Sequence, residues 1–150
     1  MNNKEFVLSM MRAQGKADAL DLRKRAPEMT GTEIITEETK IPAFDNSKDY
    51  SGWPVGSPCE SNGQVYGLLQ PYNAAHHPNS TPADLPAIWR VLHTTDASKA
   101  KPYIKPTSTS DMYLRGECMS YTDGLVYRSL RDTVYTPEEY GADWEVVTND

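Results

Sequence analysis

The sequence has no long apolar run and no recognisable export signal. A membrane-spanning helix needs about 20 consecutive apolar residues, and no segment of the chain approaches that composition. The opening segment, MNNKEFVLSMMRAQGK, carries charges through its apolar stretch and lacks the small-residue cleavage site of a secretory signal. We therefore expect a soluble protein that is made in a cytoplasm and has no membrane partner.

Basic residues and cysteines are also few. The 21 acidic residues outnumber the 15 basic ones, the net charge is -6, and the basic cluster Arg23-Lys24-Arg25 is short. A nucleic-acid-binding face needs an excess of positive charge to replace phosphate counterions, so we expect no nucleic-acid partner. Cys59 and Cys118 lie outside any CxxC motif. Their spacing supports neither a zinc ribbon nor a dithiol redox site, and we expect two buried or idle thiols.

The three histidines do not form a pattern typical of a metal site. His76 and His77 are adjacent in a loop, and adjacent loop side chains rarely converge on one ion. His93 is the third histidine, and no carboxylate or thiol is spaced to complete a ligand set. We expect no metal and no cofactor, and we interpret His76-His77 as a solvated loop tip or a contact to a neighbouring protein.

Catalytic side chains are not indicated either. Adjacent glutamates occur as Glu37-Glu38 and Glu138-Glu139, whereas glycoside hydrolysis needs two carboxylates that face each other across a cleft. Serine, histidine and aspartate are present without a GxSxG motif or another activating context. We expect that the protein is not an enzyme.

The N-terminal segment predicts an amphipathic helix that ends at Pro27. Apolar residues recur there at helical spacing, with charged residues between them. These apolar residues are Phe6, Met10, Ala13, Ala17 and Leu20. We expect the stripe to be a packing surface, since most such stripes are buried against a core. The alternative hypothesis is that the helix self-associates.

The segment that follows, residues 28–52, is predicted to be an extended connector. It contains TGTEIITEETKIPAF, in which Ile34, Ile35 and Ile41 resemble short strand pieces. The polar stretch DNSKDYSG comes next and is typical of a loop. The segment is therefore expected to link the helix to the rest of the chain.

The remaining sequence contains an internal repeat. WPVG matches YLRG at an offset of 60 residues, and GQVY matches GLVY at an offset of 61. TPADLPAIWRV matches TPEEYGADWEV at an offset of 55, so one loop is six residues shorter in the second copy. Two tandem modules follow from this pattern, with HTTDASKAKPYIKPTSTSDM predicted to be a linker between them.

Each copy predicts a β-hairpin closed by a tryptophan. Asn62-Gly63 and Asp123-Gly124 are turn sequences between two short β-like runs. After a variable loop, a Thr-Pro turn leads to a Trp whose indole is expected to pack across the hairpin. The predicted core residues are Trp89, Trp144, Tyr66 and Tyr127.

The predicted fold is mainly β, with an N-terminal α-helix and two tandem small antiparallel β-modules. The predicted organisation is a docking or oligomerisation helix at 1–27, the connector at 28–52, module 1 at 53–92, the linker at 93–112 and module 2 at 113–150.

The order of residues shared by the two copies resembles that of a known family. The order is aromatic-x-x-Gly, a turn with Gly, a Val and a Tyr, a variable loop, Thr-Pro and a closing Trp-x-Val. YLRGECMSYTDGLVYRSLRDTVYTPEEYGADWEVV follows it along its whole length. This order is similar to small chitin-binding carbohydrate-binding modules of families 5 and 12, in the tandem form found in bacteriophage and prophage proteins. In that form a short helical segment precedes two modules, and PTSTSDMY looks like the segment between them.

The resemblance implies a non-catalytic binding surface of exposed aromatic side chains, because the apolar C–H faces of sugar rings stack on aromatic planes. Relatives in phages commonly have Trp just before the Thr-Pro turn, where this sequence has Ser80 in module 1 and Tyr135 in module 2. The ligand-binding candidates are Tyr135, Tyr72, Trp53 and Tyr113.

Two functions are therefore expected as alternatives. The first is a virion surface protein of the tail, baseplate or capsid, whose modules contact polysaccharide on the host surface. The second is a structural decoration or adaptor protein whose modules contact other virion proteins. A phage particle leaves by lysis and needs no signal peptide, which favours a virion location. Several weak sites gain from avidity, so we also expect a homo-oligomer, such as a trimer.

Overall fold

The predicted class, mainly β with an N-terminal helix and two tandem β-modules, is confirmed by a computed structural model that describes residues 3–148. Helix α1 spans Asn3–Arg25 and is followed by a 3₁₀ turn over Ala26–Glu28. Pro27 in this turn cannot donate the backbone hydrogen bond that would continue the α-helix. No helix within the described range is both long and apolar enough to cross a membrane.

The predicted apolar stripe of α1 does not pack against the rest of the chain. Phe6, Met10 and Leu20 are 55%, 56% and 46% exposed. The helix contacts the body near its C-terminal end, where Leu22 is fully buried. The prediction that this stripe packs against the core of its own chain is therefore wrong. The side of the helix that packs against the body is the one that carries Leu22, and the stripe lies on the other side.

Part of the predicted connector is helical, which corrects the extended conformation expected for residues 28–52. Helix α2 spans Gly31–Thr36 and begins with a capping box between Thr30 and Glu33. This reciprocal pair satisfies free backbone N–H groups and favours a helix over a strand at Ile34 and Ile35. Both isoleucines are buried in a cluster that they share with Ala26, Val65 and Leu92.

Module 1 contains a three-stranded antiparallel sheet. Strands β1 (Pro58–Ser61), β2 (Gln64–Leu68) and β3 (Trp89–Val91) are hydrogen-bonded in that order. The predicted Asn62-Gly63 turn joins the first two, with positive φ angles of 51° and 79° that suit a tight hairpin.

Module 2 contains a four-stranded sheet, and one strand comes from the predicted linker. Strand β4 (Lys101–Pro102) runs parallel to β5 (Cys118–Ser120), and β6 (Val126–Ser129) and β7 (Trp144–Val146) complete an antiparallel meander. The second sheet is therefore mixed. Residues 93–112 are part of the folded unit, as the buried side chains of His93, Thr94 and Asp111 also show.

Module 1 has the same parallel contact, reduced to a single bridge. Ala43 pairs in parallel with Glu60, and the backbone N–H of Phe44 donates to the Glu60 carbonyl at 2.8 Å. In module 2 the N–H of Tyr103 donates to the Ser120 carbonyl, also at 2.8 Å. Each structural repeat therefore begins about ten residues before the boundary that the sequence match indicates.

The aromatic core corrects the alignment of the two copies. Tyr50 meets the Trp89 ring edge-on at 5.3 Å, and Tyr113 meets the Trp144 ring at the same distance. The structural partner of Tyr113 is therefore Tyr50 and not Trp53. Six positions separate Tyr50 from Gly56, whereas three separate Tyr113 from Gly116, so module 1 carries a short insertion that contains Trp53.

Three of the four predicted core aromatics lie in the interior. Trp89, Tyr66 and Trp144 are 1%, 2% and 6% exposed. Tyr127 is only half-buried, and its hydroxyl donates to Asp123 at 2.6 Å. Tyr127 therefore lies at the edge of the module 2 core and not within it.

Candidate functional site

Two of the four predicted ligand-binding aromatics are buried, which corrects their assignment to a surface platform. Tyr72 is 6% exposed and packs between Trp89 and His77. Tyr113 is 1% exposed and lies against His93, with ring centroids 3.8 Å apart. The wide contact of these rings with other aromatics explains their burial, and neither can stack on a ligand in this structure.

Trp53 is half-buried, and other side chains cover its ring. The guanidinium carbon of Arg23 lies 3.5 Å from the ring centroid, and Lys48 Nζ lies 5.2 Å away. The ring also meets Tyr50 edge-on at 4.6 Å. Trp53 therefore joins helix α1 to module 1 through a cation–π contact, and the covered face is not available to a ligand.

Tyr135 is the predicted aromatic that the structure places at the surface, and Tyr140 joins it. The two rings are 50% and 49% exposed. Their centroids are 6.1 Å apart and their planes are tilted by 47°, so they form a shallow, bent aromatic surface. We call Tyr135 and Tyr140 the tyrosine pair.

Sequence reasoning missed Tyr140. It lies in TPEEYGADW, the segment that defines the repeat, but the matching residue of module 1 is Leu85, which is half-buried against the core. A comparison of the two copies therefore suggests a packing position at Tyr140. The signal that could have identified Tyr140 is the tyrosine five residues after Tyr135, on the other side of the same turn.

The turn between the two tyrosines is well fixed. The N–H of Thr136 donates to Glu139 Oε1 at 3.0 Å, and the N–H of Glu139 donates to Thr136 Oγ1 at 3.1 Å. Trp144 Nε1–H donates to the Tyr135 carbonyl at 3.0 Å. The pair is thus tied to the module core, which lowers the entropy that it would lose on binding.

Each tyrosine has a cationic side chain beside it. Lys105 Nζ lies 5.7 Å from the Tyr135 ring centroid, and Arg131 lies 5.9 Å from that of Tyr140. Both cations are themselves paired, Lys105 with Glu139 and Arg131 with Asp143. The hydrogen bond from Lys105 holds the pKa of Glu139 below its usual value. The charges around the pair are therefore balanced, which suits a neutral polar ligand better than a highly charged one.

Two further tyrosines present hydroxyl groups close to acidic residues of module 2. Tyr121 donates to Glu138, and Tyr127 donates to Asp123. These hydrogen bonds raise the pKa of both phenols. Since Glu138 and Glu139 lie within the turn of the tyrosine pair, Tyr121 borders the same region and adds hydrogen-bonding groups beside its apolar ring faces.

Module 1 does not have an equivalent aromatic surface. Ser80 and Leu85 occupy the positions of the tyrosine pair. A shallow groove of about 460 Å³ is present there, lined by residues 43–46 and 78–81. Asn46 closes part of it by donating to the Pro78 carbonyl at 2.9 Å. The two modules therefore share a scaffold but differ at this surface.

The acidic pairs considered for catalysis are involved in ion pairs and hydrogen bonds. Arg25 binds Glu37 with two hydrogen bonds of 2.8 Å, and with Lys40 it lowers the Glu37 pKa to about 2. Glu38 pairs with Lys101. Glu37 therefore connects α1 to the turn that follows α2, and Glu38 connects strand β4 to the same turn. Neither carboxylate faces another carboxylate across a cleft.

The described residues contain no group of three or more His, Cys, Asp or Glu side chains arranged to hold a metal ion. Cys59 and Cys118 are both buried free thiols, and burial raises the pKa of each. His76 and His77 are exposed in their loop.

Comparison of the chain with protein families, with curated proteins and with solved structures finds no significant match.

Proposed function

We propose that this protein is a non-catalytic glycan-binding protein and that the tyrosine pair of module 2 is its stacking site. The observation that carries the proposal is the exposure of both rings on a turn fixed by capping hydrogen bonds. Exposed aromatic rings are costly to leave in water, and stacking on the C–H faces of a sugar ring would cover them.

The proposal places the protein on a bacteriophage particle, in the tail, baseplate or capsid, where module 2 contacts host polysaccharide. The resemblance of both copies to tandem chitin-binding modules supports this location. The second candidate, a decoration or adaptor protein bound to other virion proteins, is supported by the exposed apolar turns of α1, where Phe6, Met10 and Met11 are 55%, 56% and 65% exposed.

The experiment is a depletion assay on insoluble chitin, cellulose and host cell wall. We expect retention of the wild-type protein on at least one of these and about a tenfold loss of affinity for Tyr135→Ala and for Tyr140→Ala, which corresponds to about 1.4 kcal/mol. The matched control is Leu125→Ala, since Leu125 is 45% exposed at the hairpin end of the same module.

Retention lost in the tyrosine variants and kept in the Leu125 variant supports the glycan site. Wild-type protein that remains in solution with all three materials contradicts the proposal and favours the adaptor function.

A further inference from the structure

The apolar stripe of α1 is an exposed row of side chains with the 3–4 spacing of a heptad repeat. Its five members follow one another at intervals of four, three, four and three residues. All five are exposed, and they are Phe6, Met10, Ala13, Ala17 and Leu20. This alternation is the period at which helices supercoil around one another with the repeated residues in their contact. We call these five residues the α1 seam.

Most of the α1 seam faces away from the body of its own chain, whereas Leu20 at its end lines a groove together with Ile41 and Pro42. With about 3.6 residues per turn, Leu22 lies on nearly the opposite side of the helix from Phe6 and Ala13. Leu22 is fully buried against the body, whereas Phe6 is 55% exposed. A second helix can therefore approach the seam from Phe6 to Ala17 without displacing the contact that holds α1 to its own chain.

The charges beside the seam select one orientation. Lys16 and Asp21 are both exposed and lie on opposite flanks of the seam, five residues apart. In a parallel pair, such positions on two different helices meet, so Lys16 of one copy faces Asp21 of the other, which also pairs with Arg25 of its own helix at 2.9 Å. In an antiparallel pair with Met10 opposite Ala17, Lys16 would lie nearest Ser9 of the second copy, so no Lys16–Asp21 pair would form.

We infer that α1 forms a parallel coiled coil with a second copy of this chain, with the seam in the contact and Lys16–Asp21 pairs on its flanks. Ala13 and Ala17 let the two helices approach closely at the middle of the seam. The seam covers fewer than three heptads, so the association is concentration-dependent. The inference does not depend on glycan binding, and it places the modules of each copy at the same end of the coil.

The first test is the mass of the full chain in solution, measured by sedimentation at several concentrations. We expect the wild-type mass to rise above that of one chain as the concentration increases. Met10→Glu should give a single chain at every concentration, because it places a charge in the seam. The matched control is Met11→Glu, since Met11 is 65% exposed on another side of the helix and its variant should keep the wild-type mass. Far-UV circular dichroism of both variants checks that the helix content is unchanged.

The second test is the orientation. Met10→Cys should form an intermolecular disulfide on mild oxidation, since Met10 faces Met10 of the second copy in a parallel pair. In an antiparallel pair these positions are separated by about 10 Å along the axis, and a mixture of Met10→Cys and Ala17→Cys chains would cross-link instead. The native thiols are buried, so they do not compete.

A single chain at all concentrations overturns the inference, as does equal dissociation of the two glutamate variants. Preferential cross-linking of the mixed chains overturns the parallel orientation.

Discussion

The two modules have the same closing arrangement and differ in what they place around it. In module 1, Phe44, Tyr50 and Tyr72 surround Trp89, with ring centroids 5.9, 5.3 and 6.3 Å away. In module 2, two aromatic rings, Tyr103 and Tyr113, meet Trp144 at 6.4 and 5.3 Å. The first core is therefore the more aromatic one.

At the surface the difference is reversed. Module 2 exposes Tyr135 and Tyr140, whereas module 1 has Ser80 and Leu85 at these positions. Module 1 instead uses Trp53 to contact helix α1. One scaffold therefore has two roles in this chain, since module 1 contacts helix α1 and module 2 exposes an aromatic surface.

The largest predicted effect is the loss of a closing tryptophan. Trp144→Ala should lower the free energy of unfolding by about 3–5 kcal/mol, and Trp89→Ala by at least as much, because large buried aromatics leave cavities when truncated. Tyr135→Ala should change it by less than about 0.5 kcal/mol, as a surface substitution does. Urea unfolding followed by circular dichroism measures all three. Equal losses for Trp144→Ala and Tyr135→Ala would show that core and surface are assigned wrongly.

The second effect concerns His93, which lies between the modules and is 8% exposed. Burial lowers its pKa from 6.5 to about 4, although its ring nitrogen Nε2 lies 2.9 Å from the Asp111 carbonyl. The unfolded chain therefore takes up a proton at a higher pH than the folded one. The stability that the neutral imidazole contributes is complete above pH 6.5 and is lost as the pH falls towards 4, by roughly 3 kcal/mol.

Burial raises the pKa of Glu117, so the folded chain binds this proton at a higher pH than the unfolded chain does. Protonation of Glu117 therefore stabilises the fold as the pH falls and offsets part of the stability lost at His93. Urea midpoints between pH 7 and 4 measure the effect of His93, and His93→Gln is the control because glutamine does not titrate. A variant with the same pH slope as the wild type would contradict the role of His93.

The third predicted effect concerns two polar residues in the module 2 core, Asp143 and Thr133. Asp143 is 3% exposed and accepts a hydrogen bond of 2.7 Å from Thr133, at positions where module 1 has the apolar Ile88 and Tyr72. Asp143→Leu should cost about 1–3 kcal/mol, because the Thr133 hydroxyl loses its acceptor and Arg131 loses its ion pair. Thr133→Val should cost less in the Asp143→Leu protein than in the wild type, because the hydrogen bond between the two side chains is already absent there. A double-mutant cycle measures the coupling, and purely additive losses would show that the pair is not coupled.

The smallest predicted effect is a gain in glycan affinity when a tyrosine of module 2 is copied into module 1. Ser80→Tyr places in module 1 the ring that Tyr135 provides in module 2. A single added aromatic should gain about 0.5 kcal/mol, or about twofold in affinity, in the depletion assay. Ser80→Thr is the control, and an equal gain from threonine would show that aromatic stacking is not the cause.

The features that could be predicted from the sequence are those that have a local signal. The Asn62-Gly63 turn has its own side-chain chemistry, and each closing Trp lies in a repeated Thr-Pro context. The helix at Ile34-Ile35 was not predicted, because its capping box competes with β-branched residues that favour strands. Strand β4 has only two residues, too few to show any periodicity.

The candidate site was predicted only in part, because the burial of an aromatic side chain has no local sequence signal. The spacing aromatic-x-x-Gly aligns Trp53 with Tyr113, although Tyr50 is the structural counterpart. An insertion moves the true core aromatic away from its glycine, and an aromatic side chain by itself does not show whether it is buried. The burial of Tyr72 and Tyr113 depends on contacts with rings distant in the sequence, Trp89 and His93 respectively, which no local pattern contains.

The assignment of glycan binding to Tyr135 and Tyr140 is tested most directly by an NMR titration of the tyrosine ring signals with a soluble fragment of the polysaccharide that retains the protein. The nine tyrosines give separate probes of the surface and of both cores. We predict that the ring signals of Tyr135 and Tyr140 shift together with one dissociation constant, while those of Tyr72 and Tyr113 stay unchanged. Shifts at any other site without a change at Tyr135 and Tyr140 would contradict the assignment of the glycan surface to module 2.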